Sequence, residues 1–149
     1  MLTGQLENAE AALSYALAGN ARLTLVSKKT GTRYTYRVRA SKDGGVHFVS
    51  LLTGADNENS YQFIGTVRPG SAYRHGAKTK ISEAAPGPRA FKWFWEHANR
   101  GDDLNWLGLE VWHEGRCGRC GRALTVPSSV ARGIGPECAE KMGFLCEAA

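Results

Sequence analysis

The chain has 149 residues, 42% of them hydrophobic and 22% charged, with a formal net charge of +5. That length suits one compact domain, or one domain with a small appendage, and the balance of residues argues against disorder throughout. No apolar run approaches the roughly 20 residues of a membrane span, and Glu7 and Glu10 stand where a secretory signal would carry basic residues before an apolar core. A cytoplasmic location is expected. The modest positive excess permits an anionic partner without requiring one.

From Leu6 to Ala18 the chain reads as a short helix, with Leu6, Ala9, Leu13 and Leu17 on one face and Gly19-Asn20 as the stop. Residues 21–40 read as a β-hairpin, rich in β-branched and aromatic side chains and turning at Thr30-Gly31. Val46–Thr53 and Tyr61–Val67 read as a second hairpin around the polar loop GADNENS. Their apolar residues on both faces predict central strands of a covered sheet. Residues 68–87 look irregular, with Pro69, Gly70, Gly76, Pro86 and Gly87. Pro88 can take the first helical position of a helix that runs to about Asn99 and is ended by Gly101. A last strand near Leu107–His113 leads into a cysteine-bearing tail.

The predicted fold is therefore α+β. An antiparallel sheet of two or more hairpins with flanking helices occupies residues 1–106, and a zinc-knuckle and short-helix module occupies 107–149. All four tryptophans (Trp93, Trp95, Trp106 and Trp112) fall near the junction, which predicts that the module packs on the body.

All four cysteines lie between Cys117 and Cys146, a clustering that favours a metal over a disulfide framework in a reducing compartment. In Cys117-Gly-Arg-Cys120-Gly, two intervening residues let both sulfurs reach one ion, and Gly118 and Gly121 permit the tight turn. Cys138 follows Gly133-Ile-Gly135-Pro136, so it falls in the first turn of a predicted helix. There the free N–H groups and the helix dipole stabilise a thiolate. His113, four residues before Cys117, is the expected fourth ligand. Cys146 is its rival, although on one continuous helix it would stand about 12 Å from Cys138; a helix end at Gly143 would let it return. Buried free cysteines and a redox C-x-x-C are the alternatives, and the latter normally accompanies a βαβ pattern that the sequence lacks. A catalytic zinc needs an open position and a general base. Glu114 and Glu137 are nearby but stand in no such frame. The reading is one structural zinc ion.

The first hairpin holds Arg22, Lys28, Lys29, Arg33, Arg37 and Arg39 and no acid. Alternation sends Tyr34, Tyr36 and Val38 to one face and Arg33, Arg37 and Arg39 to the other. A register pairing Lys28 with Arg33 and Arg22 with Arg39 unites the apolar residues on one side. It also sets like charges opposite each other, a mild cost that an acidic partner or a phosphate backbone would relieve. The plain alternative is a solvated face that guards against aggregation. In the helix PRAFKWFWEHAN, Phe91, Phe94, Trp95 and Ala98 form an apolar stripe, and Trp93 lies nearly opposite, beside Arg89, Glu96, His97 and Arg100. It could stack on a base, anchor a protein interface, or be covered by the module or the 68–87 loop. His47, His75 and His97 show no ligand spacing and read as structural or exposed.

The tail HEGRCGRCGRALTVPSSVARGIGPECAEKMG resembles the signature of an uncharacterised family found in many phage and prophage proteins. Its pattern is H-x3-C-x2-C-G-R-x-L-T, a proline-serine step, then G-I-G-P-x-C. SKKTGTRYTYRV, HFVSLLTGADNENSYQFIGTV and AFKWFWE also look like the body that often precedes this tail. The resemblance implies His113, Cys117, Cys120 and Cys138 as ligands, a mobile-element origin in a bacterial host cell, and no settled activity. Ser128, where an acidic residue is common, and the extra Cys146 depart from the pattern.

No phosphate loop, nucleophile elbow or paired carboxylate frame is present, so a non-enzymatic protein is expected, with no small-molecule substrate and no membrane role. The leading expectation is binding to nucleic acid, or to a host complex containing it, through the hairpin face and the knuckle arginines Arg116, Arg119 and Arg122. The alternative is an anti-defence inhibitor, of the anti-CRISPR kind, that docks on a host protein.

Overall fold

The computed structural model describes residues 4–54, 60–114 and 119. The elements in chain order are β1 (Gly4–Gln5), α1 (Ala9–Ala16), β2 (Asn20–Ser27), β3 (Arg33–Ala40), β4 (His47–Leu52), β5 (Tyr61–Val67), β6 (Arg74–His75), α2 (Pro86–Asn99) and β7 (Leu109–His113). The strands make one sheet in the order β1-β7-β2-β3-β4-β5-β6, antiparallel at every pairing. The α+β class is as expected. Leu109–His113 lies inside this sheet, between β1 and β2.

Strand alternation decides which face is buried. Ala21, Leu23 and Leu25 of β2, Tyr36 and Val38 of β3, Val49 and Leu51 of β4 and Val111 of β7 all point to one side and are buried. Both helices cover that side. The α1 helix buries Ala9, Ala12, Tyr15 and Ala16, and α2 buries the predicted stripe of Phe91, Phe94, Trp95 and Ala98. Phe91 is the hub, with ring centroids of Tyr36, Tyr73, Phe94 and Trp95 at 5.0, 5.6, 5.6 and 6.0 Å. Each such ring contributes about 1.5–3 kcal/mol by leaving water.

Buried polar tips find partners, as a dry interior requires, with His47 Nδ1 the exception among the described residues. The Tyr36 hydroxyl donates to the Gly87 carbonyl at 2.6 Å, tying β3 to the first turn of α2. Burial raises the pKa of that hydroxyl far above the usual phenol range, so it stays a donor. The Trp95 indole donates to the Ser71 carbonyl at 2.6 Å and pins the loop before α2. Gly65, beside the short β6, has no room for a Cβ, which would run into the Arg74 carbonyl and the Tyr73 ring.

Several boundaries differ from the sequence reading. The first helix starts at Ala9 because the Asn8 side chain caps it, accepting from the Ala11 N–H at 2.8 Å. Leu6 is instead drawn to the sheet, donating its N–H to the Val111 carbonyl. Leu13 and Leu17 are only half-buried, since Tyr15 and the small alanines face the core. Pro86, two residues before Pro88, opens α2.

The hairpin register is also corrected. Arg22 pairs with Arg37, Val26 with Arg33 and Asn20 with Arg39, so neither Lys28 with Arg33 nor Arg22 with Arg39 is a pair. The first strand turns at Ser27, whose N–H donates to the Thr32 carbonyl at 2.9 Å and whose carbonyl accepts from the Gly31 N–H at 2.7 Å. A loop over 28–31 follows, closed by Gly31 at φ +74°. The shift is by two residues, so the predicted faces survive.

Finally, the second hairpin is not covered on both sides by any described element. Phe48 and Phe63 point away from the helices and are 43% and 40% exposed.

Two neighbours on α2 test the layer assignment. Phe91→Ala should lower unfolding free energy by about 3–5 kcal/mol, and Trp93→Ala by no more than about 0.5 kcal/mol, both read by urea titration.

Candidate functional site

The side of the sheet away from the helices follows from the registers. Its outward positions are Glu110 and Trp112 on β7, Arg22, Thr24 and Val26 on β2, and Arg33, Thr35, Arg37 and Arg39 on β3. They continue with Phe48, Ser50 and Leu52 on β4 and Tyr61, Phe63 and Thr66 on β5. Among the described residues, no outward position of β2 to β5 carries a carboxylate. This face is therefore cationic at its centre and aromatic on the β4–β5 side.

Arg22 and Arg37 sit directly opposite each other, and the surroundings offset their repulsion. Arg22 Nη1 lies 3.5 Å from a Glu114 carboxylate oxygen. The Tyr61 ring receives both guanidinium groups, at 4.7 Å from Arg37 and 5.9 Å from Arg22. Each contact of this kind contributes about 0.5–1 kcal/mol near a surface. Arg22 is fixed from below as well. The Tyr15 hydroxyl donates to its carbonyl at 2.7 Å and accepts from its N–H at 3.0 Å, so both main-chain groups turn to α1 and not to β3. Arg33 and Arg39 are exposed, facing Val26 and Asn20 across the hairpin. Lys28 belongs to the loop and not to the face, and its ammonium donates to the Asn105 carbonyl at 3.4 Å.

The structure does not bring all the predicted contact residues together. Trp93 is on the outer side of α2, 37% exposed, with its ring 4.1 Å from that of His97. It borders an open groove with Glu83, Arg89, Lys92 and Glu96, on the opposite side of the molecule from the arginine face. Arg119 is exposed. Arg116 and Arg122 lie outside the described residues.

Of the expected metal ligands, only His113 is described; Cys117, Cys120 and Cys138, and the rival Cys146, lie outside the described residues. His113 ends β7 between β1 and β2 on the helix-covered face, 1% exposed, with its ring 5.5 Å from that of Tyr15. Among the described residues, no group of three His, Cys, Asp or Glu side chains could hold a metal.

The other histidines make structural hydrogen bonds. His47 Nε2 donates to the Leu17 carbonyl at 3.1 Å, holding the end of α1 on β4. His75 joins the Tyr73 hydroxyl at 2.9 Å to the Ile81 carbonyl at 2.8 Å, fastening the loop before α2. His97 Nδ1 lies 2.7 Å from an Asp102 carboxylate oxygen where α2 ends.

Sequence reasoning missed Phe48, Phe63 and Tyr61, because it took the second hairpin to be covered. A signal was available. Only two short helical patterns precede the tail, enough to cover one side of a multi-hairpin sheet and not both.

Comparison with known proteins finds one relation. Residues 110–143 match the model of a family of unknown function (DUF6011). The matched segment is less than a quarter of the chain and begins within β7. No curated protein and no solved structure matches the chain. Among the described residues, no helix is long and apolar enough to cross a membrane.

The clamp beneath Arg22 is open to a direct check. Tyr15→Phe leaves two main-chain groups without their partner and should cost about 1–3 kcal/mol of stability, read by urea unfolding.

Proposed function

We propose that this chain is a non-enzymatic zinc-binding protein of phage or prophage origin. It binds nucleic acid, or a host complex containing nucleic acid, through the open face of its sheet. One observation carries the reading. Four arginines, Arg22, Arg33, Arg37 and Arg39, share a sheet face that no described element covers and whose four central strands present no carboxylate. Cations gathered in this way attract a polyphosphate and release its counterions, a term that dominates sequence-independent binding.

The zinc ion is assigned to Cys117, Cys120, Cys138 and His113. The family match over 110–143 spans these four together and stops short of Cys146, which favours His113 as the fourth ligand. His113 suits that role as the last residue of β7, held in place by the strands on either side. When bound, the ion would cross-link the tail to the sheet, and metal affinity would then count as folding free energy. In this reading the metal-binding tail that follows β7, itself a strand of the body's sheet, packs on the body, and the protein works in the cytoplasm of a bacterial host.

A second reading is favoured by the turn before β7. Trp106 is 85% exposed and Leu107 39% exposed, beside Lys28. A projecting aromatic of this kind is a typical protein-interface anchor, and it fits an inhibitor that docks on a host defence protein. Loss of a stoichiometric complex from nuclease-treated lysate in Trp106→Ala, with Arg33→Glu/Arg39→Glu still bound, would select it.

For the leading reading, the Arg33→Glu/Arg39→Glu variant should bind labelled oligonucleotides at least about 10-fold more weakly at low salt. It should also show a shallower salt dependence, by about 0.7–0.9 in log–log slope per lost phosphate contact. An unchanged affinity with folding intact overturns the assignment. Elemental analysis should return one zinc per chain, lowered by Cys138→Ala and by His113→Ala and kept in Cys146→Ala. Protein purified without zinc overturns the metal assignment.

A further inference from the structure

Two large apolar side chains stand partly exposed on the cationic face, where no described helix covers them. Phe48 and Phe63 are cross-strand neighbours in β4 and β5, 43% and 40% exposed, with ring centroids 6.3 Å apart and edges turned to faces. Leaving about two-fifths of each side chain wet forgoes a part of the roughly 1.5–3 kcal/mol that full burial of a phenylalanine provides. Neither ring is used by the core.

Their setting identifies what would cover them. Arg39 pairs with Phe48, Phe48 with Thr66, and Thr66 with Arg74, so one row across the sheet runs cation, aromatic, hydroxyl, cation. With about 4.8 Å between strands, the two arginines stand about 14 Å apart. In the next row Phe63 faces Ser50, and Ser50 faces Arg37. Beyond Thr66 the surface dips into a depression of about 310 Å³ between Arg68, Ser71 and Arg74. Aromatic faces accept bases of any sequence, and flanking guanidinium groups accept the phosphates between them.

We infer that the open sheet face is a stacking platform for single-stranded nucleic acid, with two unpaired bases on Phe48 and Phe63. The backbone runs past Arg39 and Arg74, and a phosphate lies toward Arg68. The inference rests on the nucleic-acid reading above and narrows it. A duplex presents phosphates outward and keeps its base faces inside the stack, so it would meet the arginines and leave both phenylalanine rings in water. An acidic protein surface would satisfy the arginines but bring carboxylates against the rings.

The test is fluorescence anisotropy of the full zinc-loaded chain with labelled oligo(dT) and oligo(U) of twelve nucleotides and with a duplex of equal length. Single strands should bind more tightly than the duplex at matched salt, and comparison of the two single strands reads any preference for DNA or RNA. Phe48→Ala and Phe63→Ala should each weaken single-strand binding by about 5- to 100-fold while leaving the salt slope unchanged. Phe48→Tyr and Phe63→Tyr should restore most of it. Because both rings are surface groups, the melting temperatures should stay near that of the wild type, which separates lost stacking from lost fold. Tighter binding to duplex, or undiminished single-strand binding in the Phe48→Ala/Phe63→Ala double variant, overturns this inference and leaves the broader function standing. Failure to bind any oligonucleotide at low salt overturns both. If the double variant loses only a protein partner in nuclease-treated lysate, the platform is a protein-docking surface and the inference is wrong.

Discussion

The docking of α2 on a single side of the sheet is the interaction from which the rest follows. Phe91 gathers Tyr36, Tyr73, Phe94 and Trp95 into one aromatic cluster, and the Tyr36 and Trp95 tips lock the helix to β3 and to the preceding loop. With α1 on the same side, the described helices are both spent there. An antiparallel sheet tolerates this, because strand alternation can feed one packed face and one wet one. The arginines, Phe48 and Phe63 lie on the face that neither described helix covers.

Arg22 is the joint between the two layers. Its backbone is held by Tyr15 from the helical side, and its side chain reaches Glu114 and the Tyr61 ring on the open side. The like-charged partner Arg37 shares the same tyrosine ring. Part of the positive potential at the centre of the face is therefore spent internally. The arginines best placed to meet an incoming anion are the outer ones, Arg33 and Arg39. Trp93 belongs to a different surface, so an aromatic set among cations on a helix did not by its chemistry alone mark the same site.

Much of the architecture was legible because it depends on local pattern. Period-two alternation located β2 to β5, the proline-led stripe located α2, and the cysteine spacing singled out the tail that a family model also recognises. What escaped depends on contacts distant in sequence. The two-residue slip of the first hairpin is an exception, a local choice of loop in which Ser27 bonds to Gly31 and Thr32. The extended Gly4–Gln5 exists only because β7 returns beside it. The wet face of β4 and β5 was misread because an apolar residue in a strand looks the same whether it is buried or offered to a partner.

The placement of β7 bears on how the chain is assembled during synthesis. Its partners in β2 lie roughly eighty to ninety residues earlier, so that ladder closes over one of the longest loops the topology allows. As the ribosome extends the chain, the β2–β3–β4–β5 meander can zip from nearest neighbours. One border of β2 then waits with unpaired amides until residue 113 has emerged. The hydroxyl of Tyr15, only seven positions from Arg22, is already at hand to occupy part of that border. The protein thus carries a local placeholder on the strand that must wait longest for its mate.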